Sequence, residues 1–177
     1  GEFGTPAIGT NGMVVVTAGN TLYAIDGQTG DSKWSFQIDG NVTTPPSIAP
    51  DGTVYIASGY YAGWESKAVI AAIDGDTGLQ RWASEMTHDF DIHVASGLVI
   101  APDGGVIFDL RTSVVMRPGL HSIAKLNGRT GARETGGWWD SFPDRALLGI
   151  DANGVLSVGF NRPSTGHYLG WCSLASQ

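Results

Sequence analysis

Apolar residues recur at every second position through most of this chain, in short runs separated by Gly, Asn, Asp and Pro. Val14 and Val16, Val54 and Ile56, and Val106 and Phe108 each sit two apart, the period of a strand with one buried face. The runs share a lead-in, which reads IGTNG at 8–12, IAPDG at 48–52, IAPDG at 100–104 and IDANG at 150–154. Each copy predicts a strand, a tight turn and a second strand. Asn-Gly and Asp-Gly suit a type I′ turn, in which both central residues need positive φ. Further strands are predicted at TLYAID (21–26) and KWSFQI (33–38), and at VIAAID (69–74) and QRWASEM (80–86). HSIAKLNG (121–128) and ARETGGWW (132–139) supply the same pair later in the chain. The stretch GYYAGWESK (59–67) reads as a long loop. No segment sustains a 3.6-residue apolar period.

A four-strand unit recurring at this spacing predicts a repeat architecture, and the β form of it is a propeller. The expected fold is all-β: a single propeller-like domain of about four antiparallel four-stranded blades, the last incomplete, at roughly 5–38, 41–86, 91–139 and 142–177. Three closures stay open: part of a longer propeller, two copies joined into one ring, or terminal strands closing a four-bladed form. Exposed sheet faces and edges predict self-association, most simply a dimer.

A second motif recurs at the turn between the third and fourth strands. It reads AIDGQTGDSKW at 24–34 and AIDGDTGLQRW at 72–82. This pattern resembles the tryptophan-docking motif of PQQ-type (quinoprotein-like) β-propellers. The resemblance implies that Ala24, Asp26, Gly30 and Trp34, and likewise Ala72, Asp74, Gly78 and Trp82, form docking contacts between blades, each Trp lying over the Ala and turn Gly of a neighbour. An indole buries roughly 150–250 Å², and Gly permits close backbone approach. In the third unit Lys125, Asn127 and Thr135 stand where Ala, Asp and Trp are expected, and Trp138 and Trp139 follow late. The fourth unit lacks the motif.

Composition narrows function mostly by exclusion. The 177 residues carry 17 acids and 10 bases, a net charge of −7, which argues against nucleic acid or anionic membrane as a partner. The apolar runs fall short of the ~20 residues of a membrane-spanning helix. With one cysteine, Cys172, neither an intrachain disulfide nor a multi-cysteine zinc site forms. Asp74-Gly75-Asp76 opens like a calcium loop, but Gly78 and Leu79 fall where an EF-hand needs an oxygen ligand and a Gly, so turn chemistry is the expectation.

Three clusters carry candidate binding chemistry. Tyr60, Tyr61 and Trp64 are aromatics in the predicted loop, suited to sugar or peptide recognition. Trp138 and Trp139 invite the same reading, or replace the missing docking Trp. Asp89, Asp91 and His93 alternate with Phe90, Ile92 and Val94, so two carboxylates and an imidazole share one strand face, able to hold a divalent ion or to decorate an exposed surface. No catalytic residue is assigned. The expected function is a noncatalytic binding or scaffold module for a protein, peptide or glycan. A fragment of a quinoprotein dehydrogenase is the alternative. The resemblance brings PQQ with calcium into consideration, but no position matches its ligands, so no cofactor is expected. The resemblance also implies an extracytoplasmic address in a bacterial envelope or periplasm.

Overall fold

The structure is a computed structural model, and it describes residues 4–88, 91–94, 97–113, 121–139, 146–151, 156–160 and 168–171. Every regular element among the described residues is a strand, and the strands form four antiparallel sheets. Sheet 1 holds β1 (Ala7–Ile8), β2 (Met13–Ala18), β3 (Thr21–Asp26) and β4 (Ser32–Gln37), paired in that order. Sheet 2 holds β5 (Asn41–Val42), β6 (Ser47–Ile48), β7 (Val54–Ala62), β8 (Glu65–Ile73) and β9 (Gln80–His88). The chain ahead of β7 is divided into β5 and β6, two short pairings with β7 on either side of Pro45-Pro46, because proline cannot donate to a ladder.

Sheet 3 contains β10 (Asp91–Val94), β11 (Val99–Ile100), β12 (Val106–Ser113), β13 (His121–Leu126) and β14 (Arg133–Trp139). Sheet 4 has β15 (Ala146–Ile150), β16 (Leu156–Phe160) and β17 (Tyr168–Trp171), three strands among the described residues.

The core lies between sheets. One cluster joins Val15, Leu22, Ala24 and Trp34 of sheet 1 to Val54, Ile56, Ala71 and Ile73 of sheet 2, with Ile48 against it. The next joins Tyr55, Ala72 and Trp82 of sheet 2 to Val106, Phe108, Ala124 and Leu126 of sheet 3, with Ile100 against it. A third places Ile107 of sheet 3 against Leu156, Leu148 and Ile150 of sheet 4. Sheets 2 and 3 thus each use one face for the sheet before and the other for the sheet after, a propeller-like array. The array is open, since Ile8 of sheet 1 is 73% exposed.

Candidate functional site

The two sequence motifs meet at one end of the sheets. The hairpin turns differ from the expected type I′. Gly12 N–H donates to Gly9 O, and Gly9 N–H to Met13 O, the pattern of a type I turn closed by one left-handed Gly. Gly52 with Ala49 and Gly104 with Ala101 repeat it. Only the Gly needs positive φ, at 78° for Gly12 and 83° for Gly52 and Gly104. The Asx residue acts through its side chain: Asn11, Asp51 and Asp103 each accept from the amide two residues on.

Against each hairpin lies the second motif. Gly27 N–H donates to Gly12 O. A Cβ at Gly27, Gly75 or Gly128 would collide with the carbonyl of Gly12, Gly52 or Gly104 respectively, so these glycines stand where two backbones touch. The motif's turn is alike in three sheets. Asp26 Oδ1 accepts from the amides of Gln28 and Thr29, Asp74 Oδ1 from those of Asp76 and Thr77, and Asn127 Oδ1 from those of Arg129 and Thr130. Asn replaces Asp in the third turn without loss because only an acceptor oxygen is needed.

The indoles cross between sheets. Trp34 Nε1 donates to Gly75 O at 2.7 Å, and a Cβ on Gly78 would lie 2.7 Å from the Trp34 ring. Trp82 Nε1 donates to Gly128 O at 2.9 Å and lies over Gly131 in the same manner. Tyr55 Oη also donates to Gly128 O, its ring centroid 5.8 Å from that of Trp82. Both indoles are buried. Within their own sheets Trp34 pairs with Ala24 and Trp82 with Ala72. Each motif therefore has a receiving half, the turn, and a giving half, the Trp. Sheet 3 keeps the receiving half and carries Thr135, paired with Lys125, in place of the giving half.

Polar pairs flank the turns. Lys33 meets Asp26 at 3.5 Å and Arg81 meets Asp74 at 2.9 Å. The Arg81 guanidinium, helped by the amide and hydroxyl of Thr77, holds the Asp74 carboxyl down at about 2. In sheet 3 Lys125 takes Asp103 and Glu134 as partners. A cleft of about 770 Å³ opens between these turns of sheets 2 and 3 and the end of β15. It is lined by the Ile48, Ile100 and Ile150 lead-ins and by Asp51, Arg81, Asp103, Arg129, Glu134 and Asp151. Sequence reasoning missed it, although the repeated Ile-x-x-Asp lead-in was its visible signal.

At the opposite end, residues 59–67 are no loop. β7 and β8 continue their ladder through Tyr60–Lys67, Tyr61–Ser66 and Ala62–Glu65, with Gly63-Trp64 as the turn. The Gly-rich, aromatic sequence hides this because the extension buries only Ser66, a polar residue hydrogen-bonded to Ile92, and so shows no apolar alternation. Trp64 is 97% exposed at the tip and Tyr61 is 70% exposed. Tyr60 Oη donates to Glu85, which also pairs with Lys67. Ile92 and Val94 are buried while His93 is half-buried. Asp89 lies outside the described residues, and Asp91 is placed by its backbone pairing with Ser113. Trp138 and Trp139 pair with Ser122 and His121 in β13. Among the described residues no three His, Cys, Asp or Glu lie close enough to hold a metal ion, and no helix is long and apolar enough to cross a membrane.

The sequence pattern of the PQQ-type repeat family described as outer membrane protein assembly factor BamB matches residues 2–135. This chain belongs to that PQQ-type repeat family. The BamB-type match covers the three sheets that carry the docking turns. Serine/threonine-protein kinase AfsK of Streptomyces griseus is 32% identical over 112 residues, 59% of this chain and 13% of that protein. TolB from Acinetobacter baumannii superposes with a TM-score of 0.55 at 18% identity, over 98% of this chain and 41% of TolB, a likeness of fold. BamB from Moraxella catarrhalis aligns over 95% of this chain and 62% of its own at 15% identity, with a TM-score of 0.34. The chain thus spans less than two thirds of each of these relatives.

Proposed function

We propose that this chain is a noncatalytic interaction module, extracytoplasmic in its setting, that seats a partner protein on the β7–β8 hairpin and associates with further copies of itself. The exposure of Trp64 carries the reading. Trp64 and Tyr61 are exposed close together on one two-stranded ladder, an apolar patch of the kind that marks an interaction site, and Trp and Tyr are among the residues most often decisive at protein interfaces. Membership of a family described as an assembly factor supports the same reading. The docking tryptophans belong to it as structural contacts between sheets.

The test is a photo-crosslinker at position 64 in the cells that make the protein, with position 79, also exposed, as control. The expected result is a discrete protein adduct at 64 and none at 79; no adduct, together with binding on a glycan array, overturns the protein-partner reading. A noncatalytic role is supported by the charge of the cleft. Asp51, Asp103, Glu134 and Asp151 outnumber Arg81 and Arg129 there, and Arg81 is already paired. The carboxylates of PQQ would face that acidic lining, and three of the carboxylates that could hold its calcium are engaged, Asp51 by Arg81 and Asp103 and Glu134 by Lys125. Added PQQ with Ca²⁺ is expected to leave the absorption spectrum the sum of its parts and to support no dye reduction.

A further inference from the structure

The cleft at the turn end has an apolar floor that is left partly uncovered. Ile48 pairs with Val54, Ile100 with Val106 and Ile150 with Leu156, and directly paired residues share a face of a sheet. Val54 and Val106 are 0% exposed and Leu156 1%, whereas the three isoleucines are only half-buried and line the cleft. Sheets 2, 3 and 4 thus each bring one aliphatic side chain to the same hollow. Its volume of about 770 Å³ lies within the ~300–1,000 Å³ of ligand pockets.

The rim is more acidic than its turns require. Asp51 Oδ1 accepts from the amide of Thr53 and Asp103 Oδ1 from that of Gly105, and Asn11 does the same for Met13 in sheet 1. A neutral acceptor is therefore enough for the turn. Asparagine stands in the turn of sheet 1, outside the cleft, and aspartate in the two turns that border it. The cations beside these carboxylates are shared. Arg81 meets both Asp51 and Asp74, and Lys125 both Asp103 and Glu134. One positive charge is set against two negative ones each time, so each network keeps a negative charge. The Asp51 and Asp103 side chains are 65% and 56% exposed, open to a further partner.

We infer that the cleft binds an extended peptide segment of a partner protein in which lysine or arginine alternates with aliphatic residues. Successive side chains of an extended chain point to opposite sides. The aliphatic ones rest on the isoleucine floor, and the long cationic ones reach the carboxylates of the rim. A small cation would meet the rim and leave the floor wet; an alternating peptide covers both. The site lies at the end of the sheets opposite Trp64, and it does not depend on what the hairpin seats.

Calorimetric titration of the full chain with the capped pentapeptide Ile-Lys-Ile-Lys-Ile tests it. One peptide per chain is expected to bind. The charge-reversed Ile-Glu-Ile-Glu-Ile is expected not to bind, and Gly-Lys-Gly-Lys-Gly to bind at least tenfold more weakly. Asp51→Asn combined with Asp103→Asn keeps both turn acceptors. It is expected to raise the dissociation constant at least tenfold while the far-UV circular dichroism and the melting temperature are kept. The chain's net charge of −7 would by itself attract any cation, so a second pair serves as control. Asp31→Asn combined with Asp39→Asn removes the same charge at exposed positions outside the cleft and is expected to change the constant less than twofold. Failure of the lysine peptide to bind overturns the proposal, and so does equal binding of the glutamate peptide. Equal binding of the glycine peptide overturns the role of the floor. Equal weakening by the two pairs of substitutions overturns the cleft as the site. Trp64→Ala is expected to bind the peptide as the wild type does; loss of binding there moves the site to the hairpin and overturns the cleft.

Discussion

Trp34 and Trp82 each combine a buried ring with a hydrogen bond to a carbonyl of the next sheet, so their removal opens a cavity between two sheets and orphans a backbone acceptor. Trp34→Ala and Trp82→Ala are expected to lose about 3–5 kcal/mol each in urea denaturation. Trp34→Phe keeps most of the area and should lose less, the hydrogen bond itself being worth about 0.5–1.5 kcal/mol. Asp74 makes a pH prediction. Its carboxyl is lowered from 3.8 to about 2, so the folded state holds the charged form more tightly than the unfolded chain does. That contribution is fully present above about pH 4 and fades as pH falls through about 2. Asp74→Asn should flatten the fall of the urea midpoint between pH 4 and pH 2 while keeping the turn, as Asn127 does in sheet 3. In sequence Trp34 and Trp82 stand out as the ends of two repeated patterns, and their hydrogen bonds run to Gly75 and Gly128 of the next sheet. The third is harder to see in sequence. Thr135 in the place of an indole suggests decay, while the receiving turn, judged by its acceptor oxygen and its two glycines, is whole.

At the scale of elements, the hairpin turn and the Asx turn of sheets 1, 2 and 3 meet backbone to backbone, at Gly27, Gly75 and Gly128. Gly128→Ala would drive a methyl group into the Gly104 carbonyl and is expected to cost about 1–3 kcal/mol. Gly149→Ala, with no described residue within 4 Å and no positive φ, serves as the neutral control in the same melts. The extended hairpin predicts the opposite profile. Trp64→Ala should leave the melting temperature within error and weaken capture of the crosslinked partner at least tenfold. The alternation at Met13–Ala18 was read correctly as one buried face, whereas Val54–Ile56 and Val106–Phe108 are buried on both faces, Tyr55 and Ile107 included, because these strands lie between two other sheets. The hairpin end at Tyr60–Lys67 was not legible as strand, since apolar alternation records burial and the one buried residue there, Ser66, is polar. Gly63 and its neighbours also gave a loop-like composition to what is a two-residue turn.

For the whole molecule, the order of contacts matters more than their number. Sheet 1 gives an indole to sheet 2, and sheet 2 gives one to sheet 3, while none of the described residues covers the turn of sheet 1 at Gly30. The sequence showed the repeat and hence the sheets, but which face of each is covered depends on a neighbour and not on local pattern. The cleft at the turn end escaped for the same reason: its three isoleucines lie far apart in the chain and meet only through the stacking of sheets. The alternating give-and-receive arrangement has an evolutionary corollary. The stretch from Ser35 to Trp82 contains one complete receiving turn and ends in one indole. A tandem duplication of that stretch would lengthen the array by one sheet with both new contacts ready-made, and its deletion would shorten the array and heal the join in the same way. Chains of this design can change their number of sheets in single genetic steps without a new interface having to be invented.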